Sequence, residues 1–161
     1  MLFCGIVYIF VCCLVVGVVL TVFDEREFER WVRSAWATLD SARSDIEGGF
    51  FNWACFKAHQ VAEKALKAVL WGVGRPRLGH SLVVLLREVE GLGLSVPGDV
   101  REYCFLLSKY YMITRYPDTW DTGIPEEYFT RREAEEAVKA ARRILEWVED
   151  VWRELRRRGG S

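Results

Sequence analysis

The sequence predicts an all-α protein: an up-and-down four-helix bundle with an extra short helix, preceded by an apolar N-terminal helix. Three observations support this prediction. Apolar residues recur at spacings of three and four in five segments, which is typical of helices that bury one face. No segment alternates with a period of two for long enough to predict a strand. The connections between the longer segments are short, as they are between antiparallel neighbours in a bundle.

The first two predicted helices have clear boundaries. Asp24 can cap the first helix, with Glu27 at the third helical position as in a capping box, and a glycine pair at 48–49 ends it. The second helix runs from about Phe50 to Val73 and carries its apolar residues on one face. A glycine and a proline follow it, and these residues stop helices.

The remaining helices are marked in the same way. A short third helix follows His80 and Ser81, and a fourth begins after the Pro-Gly-Asp sequence at 97–99. Thr130 and Glu133 form a second capping box, after which one apolar stripe continues to Leu155. The fifth helix is therefore the longest.

Composition limits the functions that this chain can have. It has 161 residues, enough for one domain, with a net charge of −1 and a pI near 6.2. A broad basic surface for long nucleic acid is therefore not expected, although this balance leaves room for local basic patches. Asn52 and Gln60 are the only side-chain amides beside 17 arginines, which indicates either a heat-adapted source or a genome of high GC content. The five cysteines form no paired motif and only two histidines are present, so we expect thiols, no metal site and no cofactor.

Residues 1–23 form an apolar leader without a charged residue, and residues 24–158 form the predicted domain. About 20 apolar residues can span a bilayer, which predicts a membrane anchor with the domain in the cytoplasm, because arginines follow the leader. A wrongly assigned start is the main alternative, since Val18, Val19 or Val22 could each come from a GTG start codon. A cleaved signal lacks both its basic start and its cleavage site. Without the leader, a cytoplasmic protein is expected.

Polar residues share one side of the second helix, namely Lys57, Gln60, Glu63, Lys64 and Lys67. One interpretation is a solvated face with ion pairs. The other is a site for a small anion, in which Lys64 and Lys67 meet Arg115 after the fourth helix.

The segment that follows the fourth helix has its own signature, Arg115-Tyr116-Pro117-Asp118. Pro117 disfavours a helical conformation at Tyr116, so the helix should end near Arg115. Asp118 can cap local amides or pair with Arg115. The element is either a structural clasp or part of a ligand or partner site.

Taken together, these motifs resemble the HEPN family of small helical bundles, whose name refers to nucleotide binding in higher eukaryotes and prokaryotes. The resemblance covers residues 26 to 148. It depends on the order and spacing of four elements, which are the Gln60–Lys67 run, the His80-Ser81-Leu82 helix start, the Arg115–Asp118 element and the Ala-rich last helix. It implies a binding module for a nucleotide or RNA that forms a homodimer and pairs with a small nucleotidyltransferase, as in toxin–antitoxin pairs. The implied ligand residues are Gln60, Glu63, Lys64, Lys67, Arg115, Tyr116 and Asp118.

Many HEPN proteins are metal-independent endoribonucleases, with an Arg followed after four to six residues by a His. Here Arg115 stands at the expected position, but Trp120 occupies the place of the His. Arg75 and His80 have the right spacing in a different connection, and they are the weak catalytic candidates. The resemblance thus favours a binding module, with a ribonuclease toxin as one alternative. A membrane-tethered interaction protein without a nucleotide site is the other.

Overall fold

The computed structural model describes residues 23–159, and all regular structure in that range is helical. The six α-helices are α1 (Glu25–Gly48), α2 (Phe51–Gly72), α3 (Leu82–Glu90), α4 (Gly98–Ser108), α5 (Tyr110–Ile113) and α6 (Arg131–Gly159). Two single-turn 3-10 helices, Pro117–Thr119 and Pro125–Glu127, lie between α5 and α6. The predicted all-α class is confirmed for these residues.

Local chemistry at the helix ends agrees with the sequence. Asp24 accepts a hydrogen bond at its Oδ1 from the amide of Glu27 (3.0 Å), which caps α1. Gly49, just after α1, has a φ of 81°, a left-handed conformation that glycine adopts without steric cost. At the start of α6, the backbone amide of Thr130 donates to Glu133 while Thr130 Oγ1 accepts from the amide of Glu133.

Helix α2 lies at the centre of the bundle. It packs along α1 on one side and α6 on another, and it also contacts α3, α4 and α5. Most of its residues are buried, including polar ones. At its end, Gly72 packs directly against the indole ring of Trp152 on α6, so the two helices approach closely there. Because α2 is central, some of its polar side chains lie buried beneath the connection between α2 and α3.

The segment from Thr114 to Thr130 is held to the bundle by side chains. Asn52, buried near the start of α2, donates to the carbonyl of Thr114 (3.0 Å) and to Oε1 of Glu126 (3.1 Å). Trp120 donates from Nε1 to the carbonyl of Ile113 (2.8 Å). These bonds fix the backbone on both sides of the Arg115–Asp118 element.

No helix within residues 23–159 is long and apolar enough to cross a membrane. The predicted leader lies outside the described residues, apart from Phe23. Phe23 and Phe28 both contact the Trp152 ring, with centroid distances of 5.5 and 4.2 Å.

Candidate functional site

Four charged or titratable side chains meet on one side of α2, and we call them the Glu63 cluster: His59, Glu63, Lys67 and His80. Lys67 Nζ donates to Oε1 of Glu63 at 2.8 Å. His80, in the connection before α3, places its Nδ1 3.1 and 3.0 Å from the two carboxylate oxygens. Glu63 and Lys67 are both buried, so the predicted solvated face is wrong for these two residues. They are buried because the α2–α3 connection and α1 cover this side of α2.

His59 belongs to this cluster and not to the exposed flank of α2, since its side chain is only 1% exposed. Its Nδ1 lies 3.1 Å from the carbonyl oxygen of Leu107 on α4. A carbonyl oxygen only accepts, so Nδ1 must carry a proton. The other ring nitrogen, Nε2, has no hydrogen-bond partner and lies 3.7 Å from Oε2 of Glu63. One carboxylate therefore faces two imidazoles and one ammonium group.

The surroundings decide the charge of Glu63. Burial alone would raise the pKa of its carboxyl, but the nearby ring of His59 and the hydrogen bonds with Lys67 and His80 lower that pKa to about 2. Glu63 is therefore ionised at neutral pH. A buried carboxylate with several donors is strongly oriented, since each donor restricts its rotation.

Lys64 points in a different direction from Lys67. Its Nζ donates to Oγ1 of Thr38 on α1 at 2.7 Å. Burial at this helix contact lowers the pKa of Lys64, and the nearby charge of Glu63 opposes the effect. Lys57, two turns of helix earlier on the same side, pairs with Asp45 of α1 at 2.6 Å. The structure thus separates the predicted polar side of α2 into residues bonded to α1 and residues of the Glu63 cluster, with Gln60 half-buried between them.

Arg115 lies among aromatic rings at the end of α5. Its Cζ is 4.2 Å from the ring centroid of Phe56, 4.8 Å from that of Tyr111 and 5.0 Å from that of Tyr116. Its Nε and Nη2 donate to the carbonyl of Tyr111 at 3.0 and 2.6 Å. Among the described residues, no carboxylate lies within ion-pair distance of Arg115, and Asp118 in particular is not paired with it.

The Tyr111 ring connects Arg115 to the Glu63 cluster. His80 stacks on this ring with a centroid distance of 5.0 Å and an interplanar angle of 17°. The centroid of the Tyr111 ring thus lies 4.8 Å from Cζ of Arg115 and 5.0 Å from the centroid of the His80 ring. We call the group Phe56, His80, Tyr111, Arg115 and Tyr116 the Arg115 corner. It presents one guanidinium, one imidazole and three aromatic rings.

The other predicted site residues take varied positions. Tyr116 and Asp118 are both exposed at the corner's outer edge, Asp118 on the first 3-10 helix. Arg75 is exposed in the α2–α3 connection. The structure pairs His80 with Glu63, and it gives no contact between Arg75 and His80. Within the described range, no group of three or more His, Cys, Asp or Glu side chains could hold a metal ion.

Sequence reasoning missed three residues of the site: Phe56, His59 and Tyr111. A signal for two of them was present, because His59 stands four residues before Glu63 and Tyr111 four before Arg115, and such pairs face each other on a helix. Phe56 could not be found in this way, since its contact with Arg115 joins helices that are distant in sequence.

Comparison with known proteins gives one family and several solved structures. The model of the family described as HEPN domain matches residues 28–151. The crystal structure of TT1696 from Thermus thermophilus is 39% identical with a TM-score of 0.74, and the match covers 77% of this chain and 97% of that one. An archaeal HEPN homologue, ST0689, is 38% identical with a TM-score of 0.65 over 76% of this chain and 95% of its own.

A third structure is similar as well. The HEPN domain protein tm0613 from Thermotoga maritima is 32% identical with a TM-score of 0.61, and the match covers 76% of this chain and 97% of that one. No curated protein sequence matches the chain. The three structures are thus matched over nearly their whole length, at levels of identity that go beyond a likeness of fold.

Proposed function

Because the chain belongs to the HEPN family, we propose that it is a nucleotide-binding module that holds its ligand at the Arg115 corner. The family includes both nucleotide-binding and ribonuclease-like proteins. Here the position that would carry the family's catalytic histidine is Trp120, which donates its indole N–H to a backbone carbonyl. Binding is therefore the activity to which this corner is best suited.

One observation carries the proposal: Arg115 is a half-buried cation without a carboxylate partner among the described residues. Its two bonds to the Tyr111 carbonyl use Nε and one N–H of Nη2, so Nη1 and the second N–H of Nη2 are available to a ligand. A guanidinium with two parallel donors suits a phosphate group. The phosphate of a nucleotide would supply the missing negative charge.

The aromatic rings around Arg115 suit the base of the same ligand. Tyr116 and Trp53 are among the exposed large side chains, and Trp53 contacts Phe56 with a centroid distance of 6.2 Å. Stacking on such rings favours a nucleobase without selecting its identity. We expect Asp118 and Gln60 to contact the ligand from the edges. Lys64 and Lys67 are already bonded to Thr38 and Glu63, so we expect them to act through long-range attraction.

We further propose that the module forms a homodimer and pairs with a small nucleotidyltransferase, in the manner of a toxin–antitoxin pair. Several large apolar side chains are exposed at the same end of the bundle, and aromatic residues of this kind are frequent anchors of interfaces. They are Phe50, Trp53, Met112, Tyr116, Ile124 and Tyr128. A partner bound there would lie next to the ligand.

Titration calorimetry of the full chain with ATP tests the ligand proposal. We expect Arg115→Ala to weaken binding about ten- to a hundredfold, the range for hydrogen bonds to a charged group. Arg115→Lys should lie between the two, since a lysine keeps the charge without the fork. Arg33→Ala, which removes an exposed arginine of α1, is the matched control and should bind as wild type does. Equal affinity of the wild type and Arg115→Ala would refute the site.

The partner proposal needs a separate measurement. We expect a nucleotidyltransferase encoded beside this chain to form a complex with it on size-exclusion chromatography, and Trp53→Ala to weaken that complex. If the wild type and the variant elute identically in the presence of the enzyme, the surface is not the interface.

A further inference from the structure

The apolar leader joins the domain at a fixed point. Phe23, the last residue of the leader, lies edge-on against the Trp152 ring of α6 at a centroid distance of 5.5 Å. The next backbone amide, that of Asp24, donates to the carbonyl of Gly72 at 2.7 Å. Gly72 itself packs against the same Trp152 ring. The start of α1, the end of α2 and the last part of α6 therefore meet where the leader enters the domain.

This arrangement leaves no linker between the leader and the domain. Phe23 is both the last residue of the leader and a residue packed on the bundle. A leader that spans a bilayer, as its length and apolarity predict, therefore holds the domain directly against the lipid headgroups. The surface turned towards the bilayer is then formed by residues 23–30, 73–79 and 150–158, which we call the leader end.

One loop of the leader end combines exposed arginines with an exposed leucine. It directly follows α2, and all six residues from Gly74 to Gly79 are exposed. Leu78 is 84% exposed, more than any other large apolar side chain among residues 23–159, and it stands beside Arg77. Such a loop suits the surface of a bilayer, where an apolar side chain can enter the boundary with the acyl chains while cations stay among the headgroups.

The charges of the leader end favour an anionic partner. Four of its carboxylates are already paired with arginines, namely Glu25, Glu27, Asp150 and Glu154. Within residues 23–159, neither Arg26 nor Arg75 has a carboxylate at ion-pair distance. Arg77 lies 3.7 Å from Glu88, and both of these side chains are exposed. Arginine suits the phosphate of a headgroup, since its planar fork can donate two parallel hydrogen bonds.

We propose that the leader end is a docking surface for an anionic bilayer, in which Arg26, Arg75 and Arg77 bind headgroup phosphates and Leu78 enters the acyl boundary. The partner is a lipid surface because an apolar leader and an exposed leucine accompany the arginines. Each arginine near such a surface strengthens association about fivefold. The Arg115 corner, which contacts the first half of α2, lies towards the other end of that helix and stays open to its own ligand.

Proteolysis of the full chain in vesicles tests the proposal. One sample contains vesicles of phosphatidylcholine alone, and the other contains vesicles with about one third phosphatidylserine. The measured quantity is the rate at which trypsin cuts the Arg77–Leu78 bond, relative to cleavage after Arg115 as an internal reference. We expect this relative rate to be about tenfold lower on the anionic vesicles, and the difference to shrink at about 1 M salt, because salt screens the headgroup charge.

Two matched variants assign the effect to the loop. Arg75→Gln removes one exposed charge without altering the bond that is cut, and it should reduce the tenfold difference to about twofold. Arg132→Gln removes an exposed arginine at the start of α6, at the opposite end of the bundle. This control should retain the wild-type difference between the two kinds of vesicle.

The possible results separate this proposal from its alternatives. A chain that sediments with neither kind of vesicle, or a loop that is cut at equal relative rates on both, would overturn the docking surface. Equal protection in wild type and Arg75→Gln would overturn it as well, since contact with the headgroups requires that arginine. None of these results bears on the binding of ATP at the Arg115 corner, which calorimetry tests separately.

Discussion

The Glu63 cluster gives a prediction about stability whose magnitude follows from its charge. The pKa of Glu63 lies at about 2 in place of the ordinary 4.5. One unit of pKa difference between the folded and unfolded states corresponds to about 1.4 kcal/mol. The ionised carboxylate thus contributes about 3 kcal/mol to the free energy of unfolding at pH 7. Glu63→Gln keeps the shape but removes the charge, and we expect it to lose about this amount.

The sign of the pH dependence follows from the lowered pKa. A carboxyl group whose pKa is lower in the folded protein stabilises the fold above the unfolded value and loses that effect as pH falls through the folded one. The difference between wild type and Glu63→Gln should therefore be nearly complete above about pH 5, fall to somewhat under half near pH 3, and vanish below about pH 2. Urea titrations followed by tryptophan fluorescence at several pH values measure it directly.

A control variant and a second substitution sharpen this test. Glu135→Gln removes a carboxylate that is exposed and 3.7 Å from Arg131 on α6, and it should leave stability unchanged within error. Combining Glu63→Gln with Lys67→Met should cost less than the sum of the two single changes, because each single change leaves a buried group without its partner. A loss in Glu63→Gln that is under about 1 kcal/mol, or equal at pH 7 and pH 3, would contradict the assigned role of the cluster.

Two further predictions concern the core. Gly72→Ala should destabilise the protein by about 2 kcal/mol in thermal or urea unfolding, because an added Cβ would lie 2.5 Å from Cη2 of Trp152. The control is Gly98→Ala, which should cause no loss of stability because nothing lies within 4 Å of its added Cβ. Equal effects of the two changes would contradict the close contact between α2 and α6. Burial raises the pKa of the Cys55 and Cys104 thiols to about 12. Neither thiol should therefore react with a thiolate-selective reagent at pH 8 until the chain unfolds. Peptide mapping that finds either one modified in the native protein would refute this.

Much of the bundle could be predicted from the sequence because its signals are local. The cap at Asp24 and the capping box at Thr130 and Glu133 depend on residues within one turn of helix, and both form as expected. The burial of Glu63 and Lys67 is not a local property. Helical spacing predicts which residues share a side of α2, but only the packing of the α2–α3 connection decides whether that side meets water.

The same limit applies to the Arg115 corner. The sequence indicated that a helix ends near Arg115 and that its charge could bind an anion. It could not predict that the guanidinium lies over Phe56, since that contact depends on how α5 is placed against α2. The pairing of His80 with Glu63 was missed for a similar reason, because 17 residues and the end of a helix separate them.

The enclosed position of α2 has a consequence for engineering this protein. Side chains in the middle of α2 can be exchanged only together with a compensating change in a neighbouring helix, because they meet other helices on nearly every side. Two exposed regions escape this restriction: the position of Trp53 in the first turn of α2, and the connection that ends at His80. Libraries that vary only these two regions could alter which ligand is preferred while the interior of the bundle stays as it is.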